Sequence, residues 1–248
     1  MQICINHLTR GSPKQALNSL YSLYYASRYR EKLKFLIILD SDDKDSISFF
    51  TTGQGSHFPC ELHITERKPW PSFHMYFNEV LCDCNSDWWI PWSDDCIMLT
   101  DGWDEILLKA ERFGHLLICF EDVSRYGRRH PNQCLGFAIH KNLYKVLGAF
   151  EHHAVDSYLA EVGSRTGVLS IGLGIDIYHS GMDEPFRSIN SRKRDDSLLV
   201  NFDPLELKIT KQKIRQHFSF IRRFYLRFLS LRFYLKLVIR TIWHNRFF

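Results

Sequence analysis

The chain has 248 residues, of which 45% are hydrophobic and 24% are charged, which allows one large α/β domain with an appendage. No window reaches about 18 uncharged apolar residues, and the amino terminus lacks a basic leader and a long apolar core, which excludes a membrane-spanning helix and a signal peptide. The seven cysteines are odd in number and scattered, which is typical of reduced thiols in a cytosolic protein and excludes a disulfide framework.

Charge is divided unevenly along the chain. From Lys208 to the end there are 11 Lys and Arg residues and no Asp or Glu, so the rest of the chain holds 21 basic and 28 acidic residues, a net charge of −7. Between these parts, the stretch RSINSRKRDDS is polar and has no apolar periodicity. We therefore predict an acidic domain over residues 1–186, a linker over 187–207 and a basic appendage over 208–248.

Strand-like and helix-like segments alternate over the first hundred residues. Apolar residues at spacings of three and four follow Pro13, which suits the first turn of a helix. The run LKFLIIL (33–39) is continuously apolar, as in a parallel strand that is covered on both faces. Further strands are predicted at 3–5, at 60–65 and from Trp88, with a helix at about 73–81 before the last of them. This alternation favours an α/β layered sheet.

The second half is less regular but continues the pattern. Strands are predicted at 115–120, 135–139 and 170–178, and helices at 141–147 and 155–162, the second of which should end at Gly163. Polar and acidic residues lie at the predicted carboxyl ends of several strands. Open α/β sheets place their ligands at that edge.

The most informative stretch is WWIPWSDDCIMLTDGWDEILL, residues 88–108. Its first apolar run ends in the acid pair Asp94 and Asp95. Two adjacent carboxylates at the end of a buried strand repel each other and resist desolvation unless a cation or hydrogen-bond donors neutralise them. Carboxylate oxygens suit Mg²⁺ or Mn²⁺. The alternative is a solvated corner between a strand and a loop, where Asp is common.

These features, in order, resemble a GT-A-fold nucleotide-sugar glycosyltransferase of the broad family-2-like group, over residues 2–182. The resemblance rests on the ends of the first two strands, on the acid pair with the downstream TDGWD, and on an acid and a histidine late in the chain. It implies a GT-A (Rossmann-like) α/β fold with a mixed, mostly parallel sheet and flanking helices, here followed by a basic amphipathic helical tail. It also implies an enzyme that transfers a sugar from a nucleoside diphosphate sugar to a glycan or lipid-linked acceptor.

The resemblance further implies a divalent cation, Mn²⁺ or Mg²⁺, bound by Asp95 and His179. Asp94 would then contact the ribose or the sugar. Relatives carry a spaced DxD motif, whereas this chain has two adjacent acids, so the motif alone does not decide which carboxylate binds the metal. An imidazole ligand suits Mn²⁺ better than Mg²⁺. A surface histidine after a strand is the other interpretation of His179.

Donor-binding and catalytic residues follow from the same resemblance. Asp40 would recognise the nucleotide base, and the remaining donor contacts would come from Thr9, Arg10 and Asn78. An inverting enzyme needs a carboxylate that takes the proton of the acceptor hydroxyl. In the resemblance, Asp156 matches the position of this base. Relatives often have Glu directly before the Asp, whereas this chain has Val155. Asp156 also fits a helix start favoured by the dipole, and Glu151 is the second candidate for the base.

The carboxyl-terminal segment 208–248 has an apolar, aromatic-rich face with most of its basic residues roughly opposite. This pattern is typical of a helix that lies in an anionic membrane interface, which predicts a cytoplasmic protein attached to the inner face of the membrane. The same pattern fits a helix that packs on its own domain or on a protein partner. No base-reading module accompanies the basic residues, so no nucleic-acid partner is expected.

Two other functions fit parts of the pattern. Sugar-phosphate nucleotidylyltransferases also use paired carboxylates and a metal on a related sheet, but usually have a Gly-rich, basic loop after the first strand. The segment TRGSP (9–13) is a poor version of that loop. A non-catalytic subunit with the same fold is the second alternative.

Overall fold

The computed structural model describes residues 1–69, 72–81, 85–124, 136–150, 155–179 and 204–218. One mixed sheet of eight strands in the order β3-β2-β1-β4-β7-β6-β8-β5 forms the centre of this part of the chain. The strands are β1 Ile3–Thr9, β2 Leu33–Asp40, β3 Glu61–Thr65, β4 Trp88–Trp92, β5 Cys96–Met98, β6 Leu117–Asp122, β7 Phe137–His140 and β8 Leu169–His179. Four of the seven strand pairings are parallel. The predicted mixed, mostly parallel sheet is confirmed.

Helices cover both faces of this sheet. They are α1 Pro13–Ala26, α2 Lys44–Thr51, α3 His74–Leu81, α4 Trp103–Arg112, α5 Lys141–Leu147, α6 Val155–Thr166 and α7 Pro204–His217. Buried side chains of α1, α2 and α4 pack on one face, and those of α3, α5, α6 and α7 pack on the other. Burial of apolar strand residues on both faces explains why β2 is continuously apolar in sequence.

The predicted elements are present, one helix was not predicted, and several elements end elsewhere than predicted. Helix α2 was not predicted; it is short and begins at Asp43, whose carboxylate accepts a hydrogen bond from Ser46 N. Helix α6 does not end at Gly163 but continues to Thr166. A Cβ atom on Gly163 would lie 2.8 Å from side-chain atoms of Leu117 and Leu169, so this glycine allows close packing of the helix on β6 and β8 and does not terminate it.

The downstream acid of the TDGWD segment has a structural role. The buried Asp104 accepts hydrogen bonds from Ser27 Oγ at 2.8 Å, Arg28 N at 2.9 Å and Tyr29 N at 2.7 Å. These bonds attach the start of α4 to the end of α1, and a buried carboxylate is stable there because donors surround it. This half of the sequence motif therefore holds α4 to α1.

The basic appendage begins inside the folded domain. Helix α7 starts before Lys208. Its residues Thr210 and Ile214, and Phe218 directly after it, are buried against α5 and α6. Tyr158 Oη and Thr210 Oγ1 form a hydrogen bond of 3.0 Å. For its described part, up to residue 218, the tail thus packs on its own domain, and a boundary at 208 divides a core helix. Residues 187–203 and 219–248 lie outside the described residues.

The described cysteines, Cys4, Cys60, Cys96 and Cys119, are free thiols. Within the described ranges no helix is long and apolar enough to cross a bilayer.

Candidate functional site

The carboxyl ends of β1, β2 and β4 meet at one edge of the sheet. These strands are parallel neighbours, and their register pairs Thr9 with Leu39 and His7 with Trp92. The acid pair that follows β4 therefore lies beside the end of β1, where Thr9 Oγ1 is 3.5 Å from Asp94 Oδ2. The structure thus brings together the first-strand and acid-pair residues that were predicted to share a site.

A long-range strand pairing brings the late histidine to the same place. Strand β5 is antiparallel to the end of β8, with Cys96 opposite His179. As a result His179 Nε2 lies 3.3 Å from Asp95 Oδ1, and the imidazole is almost completely buried. Its position inside the site does not fit the alternative of a surface histidine.

The atoms around His179 form a set that suits a divalent cation. Asp95, Cys96 and His179 each offer one ligand atom, and these atoms lie within 4.8 Å of one another. The Cys96 sulfur is 3.3 Å from each ring nitrogen. Carboxylate oxygens suit Mg²⁺ or Mn²⁺, and an imidazole favours a transition metal such as Mn²⁺. Burial, and then the charge of Asp95, raises the pKa of the Cys96 thiol, so its sulfur is a weak ligand. The residues present therefore fit a divalent cation.

Two members of this cluster were not predicted. Cys96 follows the acid pair directly, but its sequence context is that of a buried strand thiol. Asp122 ends β6, and its Oδ2 lies 3.7 Å from His179 Nδ1. The rule that polar residues at the carboxyl ends of strands belong to ligand sites applies to Asp122 as well. The predicted strand stopped at residue 120, however, so its acidic end was assigned to a loop.

The two acids of the pair differ in their protonation. Burial would raise the pKa of Asp95, but hydrogen bonds from His179 and Ser93 and the charge of His179 hold it below the usual range. Burial, followed by repulsion from Asp95, raises the pKa of Asp94. Asp95 is consequently the carboxylate that keeps its charge most easily, as a metal ligand must.

A buried histidine lies behind the pair. His7 on β1 is fully buried, burial lowers its pKa to about 3, and neither ring nitrogen has a hydrogen-bond partner in the described part of the chain. Its imidazole is therefore neutral at physiological pH, and it adds no positive charge that would compete with a cation at Asp95.

The predicted base-recognition residue lies at the end of β2, next to the end of β1, among basic side chains. Asp40 is fully buried at the end of β2, and its carboxylate accepts hydrogen bonds from the Tyr76 hydroxyl and, at 2.5 Å, from Arg10 Nε. Arg67, which the sequence did not single out, is 3.8 Å from the same carboxylate and 2.7 Å from Asp42. Arg10 and Arg67 are both more than a third exposed. These residues therefore present two guanidinium groups to solvent, and the buried Asp40 fixes that of Arg10 through a hydrogen bond.

The loop after β1 is fixed by a backbone contact. Gly11 has a φ of 70°, a conformation that favours glycine, and its N–H donates to Asp43 Oδ2 at 2.7 Å. Asp43, whose other oxygen accepts from Ser46 N, thus joins this loop to the start of α2. The turn positions Arg10 beside Asp40.

Asn78 on α3 joins two parts of the fold. Its Nδ2 donates to Phe150 O at 2.7 Å, and its Oδ1 accepts from Phe150 N at 2.8 Å. Both polar groups of the amide thus bind the backbone just before residues 151–154, which lie outside the described residues and include the candidate base Glu151. The predicted donor contact of Asn78 would have to compete with these two bonds.

We expect the Asn78→Ala variant to be less stable by about 1–3 kcal/mol, because it leaves the N–H and C=O of Phe150 without their partners. The affinity for a nucleotide sugar should stay within about twofold of wild type. Urea unfolding and donor titration measure the two quantities, and Ser164→Ala on the exposed side of α6 serves as the control. A large loss of donor affinity at unchanged stability would restore Asn78 as a donor contact.

Asp156 occupies the first turn of α6. Burial is the main influence on its carboxyl group and raises its pKa, while the positive charge of His179 acts in the opposite direction. Asp156 thus interacts electrostatically with the same histidine that contacts Asp95. A raised pKa is compatible with the predicted role as a general base, and a helix start alone would also favour Asp here.

Comparisons with known proteins identify the fold. No family model and no curated protein matches the chain by sequence. Among solved structures, the chain is similar to the mannosyltransferase PcManGT from Pyrobaculum calidifontis in complex with GDP-Man and Mn²⁺, with a TM-score of 0.58, 13% identity, and coverage of 93% of this chain and 73% of that one.

A second similar structure is S. aureus TarS 1-349, with a TM-score of 0.56, 11% identity, and coverage of 90% of this chain and 73% of that one. The same protein in complex with UDP-GlcNAc has a TM-score of 0.51, 11% identity, and coverage of 89% and 73%. At such identities the likeness shows the fold, and the chain therefore has the GT-A fold that the sequence motifs predicted.

Proposed function

From the GT-A fold and the cluster at its strand ends, we propose that the protein is a metal-dependent, inverting glycosyltransferase. It would move a sugar from a nucleoside diphosphate sugar to a saccharide or lipid-linked acceptor. The observation that carries this proposal is the meeting of Asp95 and His179, 3.3 Å apart, at the carboxyl edge of the sheet. The solved structures it resembles hold GDP-Man with Mn²⁺ and UDP-GlcNAc, which supports the donor class.

In the proposed reaction, the acceptor hydroxyl oxygen attacks the anomeric carbon on the face opposite the diphosphate. The bond from that carbon to the diphosphate oxygen breaks, and its electron pair leaves with the diphosphate. The hydroxyl proton goes to the Asp156 carboxylate, whose raised pKa makes it a stronger base than an ordinary Asp. The configuration at the anomeric carbon is thereby inverted.

Asp95 and His179 would hold the cation, with Cys96 beside them. When bound, a divalent cation neutralises the negative charge that develops on the departing diphosphate. Asp94, with its raised pKa, is better suited to hydrogen-bonding the ribose or the sugar than to metal binding. Thr9, at 3.5 Å, orients that carboxyl group.

We assign the corner of Arg10 and Asp40 to the nucleotide. The exposed guanidinium groups of Arg10 and Arg67 suit a diphosphate or a stacked base. Asp40 holds Arg10 at 2.5 Å, so in this proposal it acts on the nucleotide partly through Arg10.

A thermal-shift panel tests the donor assignment. UDP-, GDP- and CMP-sugars, each with Mn²⁺ and with EDTA, should raise the melting temperature only for the true nucleotide and only with metal, because a ligand stabilises the folded state by mass action. Metal-dependent release of the nucleoside diphosphate from that donor then identifies a transferase. Binding without turnover would favour the non-catalytic subunit, and release of pyrophosphate from a nucleoside triphosphate and a sugar phosphate would favour the nucleotidylyltransferase.

The basic tail supports a membrane-bound acceptor. Residues 219–248 carry seven of the 11 basic residues of the tail and no acid. Each Lys or Arg near an anionic surface contributes about 1 kcal/mol, and aromatic side chains add apolar burial. We therefore propose a cytoplasmic protein held at the inner face of the membrane, where a lipid-linked saccharide is within reach.

Two truncations separate folding from membrane binding. Removal of 219–248 should leave the domain folded but abolish co-sedimentation with anionic liposomes. Removal of 208–248 should also lower the free energy of unfolding by about 3–6 kcal/mol, because burial of Ile214 and Phe218 is lost. Circular dichroism with urea and liposome sedimentation measure both effects.

Liposomes of neutral lipid serve as the control, and binding of the full chain to anionic liposomes should weaken with salt. If the full chain does not bind anionic liposomes, the tail instead has a protein partner. Equal stability of the two truncated forms would contradict the role of α7 in the core.

A further inference from the structure

One oxygen of a buried carboxylate beside the proposed metal site has no hydrogen-bond partner. Asp122, at the end of β6, has a side chain that is only 4% exposed. Its Oδ1 accepts a hydrogen bond from Ser124 N at 2.9 Å, whereas no donor among the described residues reaches Oδ2. An unsatisfied buried acceptor costs about 1–3 kcal/mol, and more when it is charged. Such a cost indicates a partner that appears in a functional state.

The potential partner is the imidazole of His179. Its Nδ1 lies 3.7 Å from Asp122 Oδ2, and its Nε2 lies 3.3 Å from Asp95 Oδ1, so the ring stands between two carboxylates. Parallel pairing of β6 with β8 and antiparallel pairing of β5 with β8 create this arrangement. The distance from Nδ1 to Asp122 Oδ2 exceeds that of a hydrogen bond by a few tenths of an ångström. A small rotation of either side chain would close this gap.

The tautomer of His179 determines which of its nitrogens can bind a metal. A neutral imidazole carries one N–H, and a metal needs the lone pair of the other nitrogen. The Cys96 sulfur is equally distant from both nitrogens, at 3.3 Å, and so does not select between them. A carboxylate beside Nδ1 does select, because it accepts Nδ1–H. When a cation takes the place of the proton between His179 and Asp95, Nε2 is then the nitrogen with a free lone pair.

We propose that Asp122 is a positioning residue that accepts the Nδ1–H of His179 and thereby directs Nε2 to the cation held by Asp95. This inference rests on the proposed function, since it names what orients one ligand of that site. A carboxylate that orients a histidine ligand in this way typically affects metal affinity by about 10–100-fold. Asp122 itself does not contact the substrate in this proposal.

The test is Mn²⁺ binding by the full-length protein, measured by electron paramagnetic resonance with and without UDP or GDP. The Asp122→Asn variant is nearly isosteric, and its amide oxygen can still accept from Ser124 N, so we expect it to fold as the wild type does. Its NH₂ group would replace Oδ2 and donate to Nδ1, which places the N–H on Nε2, the wrong nitrogen for the metal. We expect Mn²⁺ affinity to fall by about 10–100-fold.

A double-mutant cycle distinguishes positioning from direct ligation. In the His179→Ala background, Asp122→Asn should cause less than about a twofold further loss of Mn²⁺ affinity, because its effect passes through the imidazole. Glu121→Gln removes the neighbouring carboxylate and is the matched control, with affinity expected near wild type. Thermal unfolding without metal should be no lower for Asp122→Asn than for Glu121→Gln, whereas a merely structural role would lower it.

The outcomes separate this inference from the proposed function. Wild-type affinity in Asp122→Asn, together with a large loss in His179→Ala, would overturn the role of Asp122 and leave the metal site intact. Full additivity of the two substitutions would also overturn it, because Asp122 would then act independently of His179. If the wild-type protein binds no Mn²⁺ under either condition, the proposed metal site fails and this inference fails with it.

Discussion

Replacement of Asp95 by alanine is expected to reduce sugar transfer by about 10³-fold or more, which corresponds to about 4 kcal/mol of transition-state stabilisation. Asp95 is the acid whose pKa is held low and whose Oδ1 is 3.3 Å from His179. Its loss removes the carboxylate ligand of the proposed cation, so the charge on the departing diphosphate is no longer neutralised. The increase in melting temperature that the donor causes with Mn²⁺ should disappear as well.

The measurement is turnover together with a donor thermal shift, each with Mn²⁺ and with EDTA. Asp101→Ala, at an exposed acid in the same segment, is the control and should behave as wild type. Asp94→Ala should lower donor affinity but preserve Mn²⁺ binding. Full activity of Asp95→Ala with Mn²⁺ would refute the assignment of the metal site.

The second large effect is expected for Asp156→Asn. The amide has nearly the same shape but cannot take the acceptor proton, so turnover should fall by about 10²-fold or more. Donor affinity should stay near wild type, because the proposed donor contacts lie on other elements. Glu161→Gln, on the same helix and paired with Arg165 at the surface, is the control. A variant that keeps its turnover would reassign the base, with Glu151 as the next candidate.

The pH profile provides an independent check on the same residue. Burial raises the pKa of Asp156, so the carboxylate is lost at a higher pH than for an ordinary Asp. A base must be deprotonated to act. Turnover should therefore fall on the acidic side through a pKa above 3.8, the ordinary value for Asp. In Asp156→Asn the residual activity should no longer follow this acidic limb.

The sequence predicted the elements well where one periodicity dominates. Continuous apolarity identified β2, and spacings of three and four identified α1, because burial on both faces of a strand and on one face of a helix leaves these patterns. It failed at α2, whose start depends on the cap at Asp43. It also failed at Gly163, where packing on Leu117 and Leu169 requires a small residue inside a helix that a local rule would end.

The predicted site residues were only partly brought together. Thr9 lies beside Asp94, and His179 lies beside Asp95. Asp40 and Arg10 pair with each other at the neighbouring ends of β2 and β1, and Asn78 is bound to the backbone of Phe150. Roles of this kind cannot be deduced from residue type, since the same amide or carboxylate serves a ligand or the fold depending on which donors surround it.

The tail shows the same limitation. Ile214 and Phe218, the described members of its predicted apolar face, are buried, but periodicity does not state what covers such a face. The structure buries Ile214 and Phe218 against α5 and α6, so the first turns belong to the core.

By itself the sequence determined the alternation of strands and helices, the position of acids at strand ends and the division of charge, because each depends on neighbouring residues and on local burial. Only the tertiary structure decided which distant groups meet. Cys96 and His179 are 83 residues apart and face each other through the pairing of β5 with β8. Asp122 joins them because β6 runs parallel to β8. Such contacts arise from strand pairing across the whole chain, which leaves no periodic signal at the residues concerned.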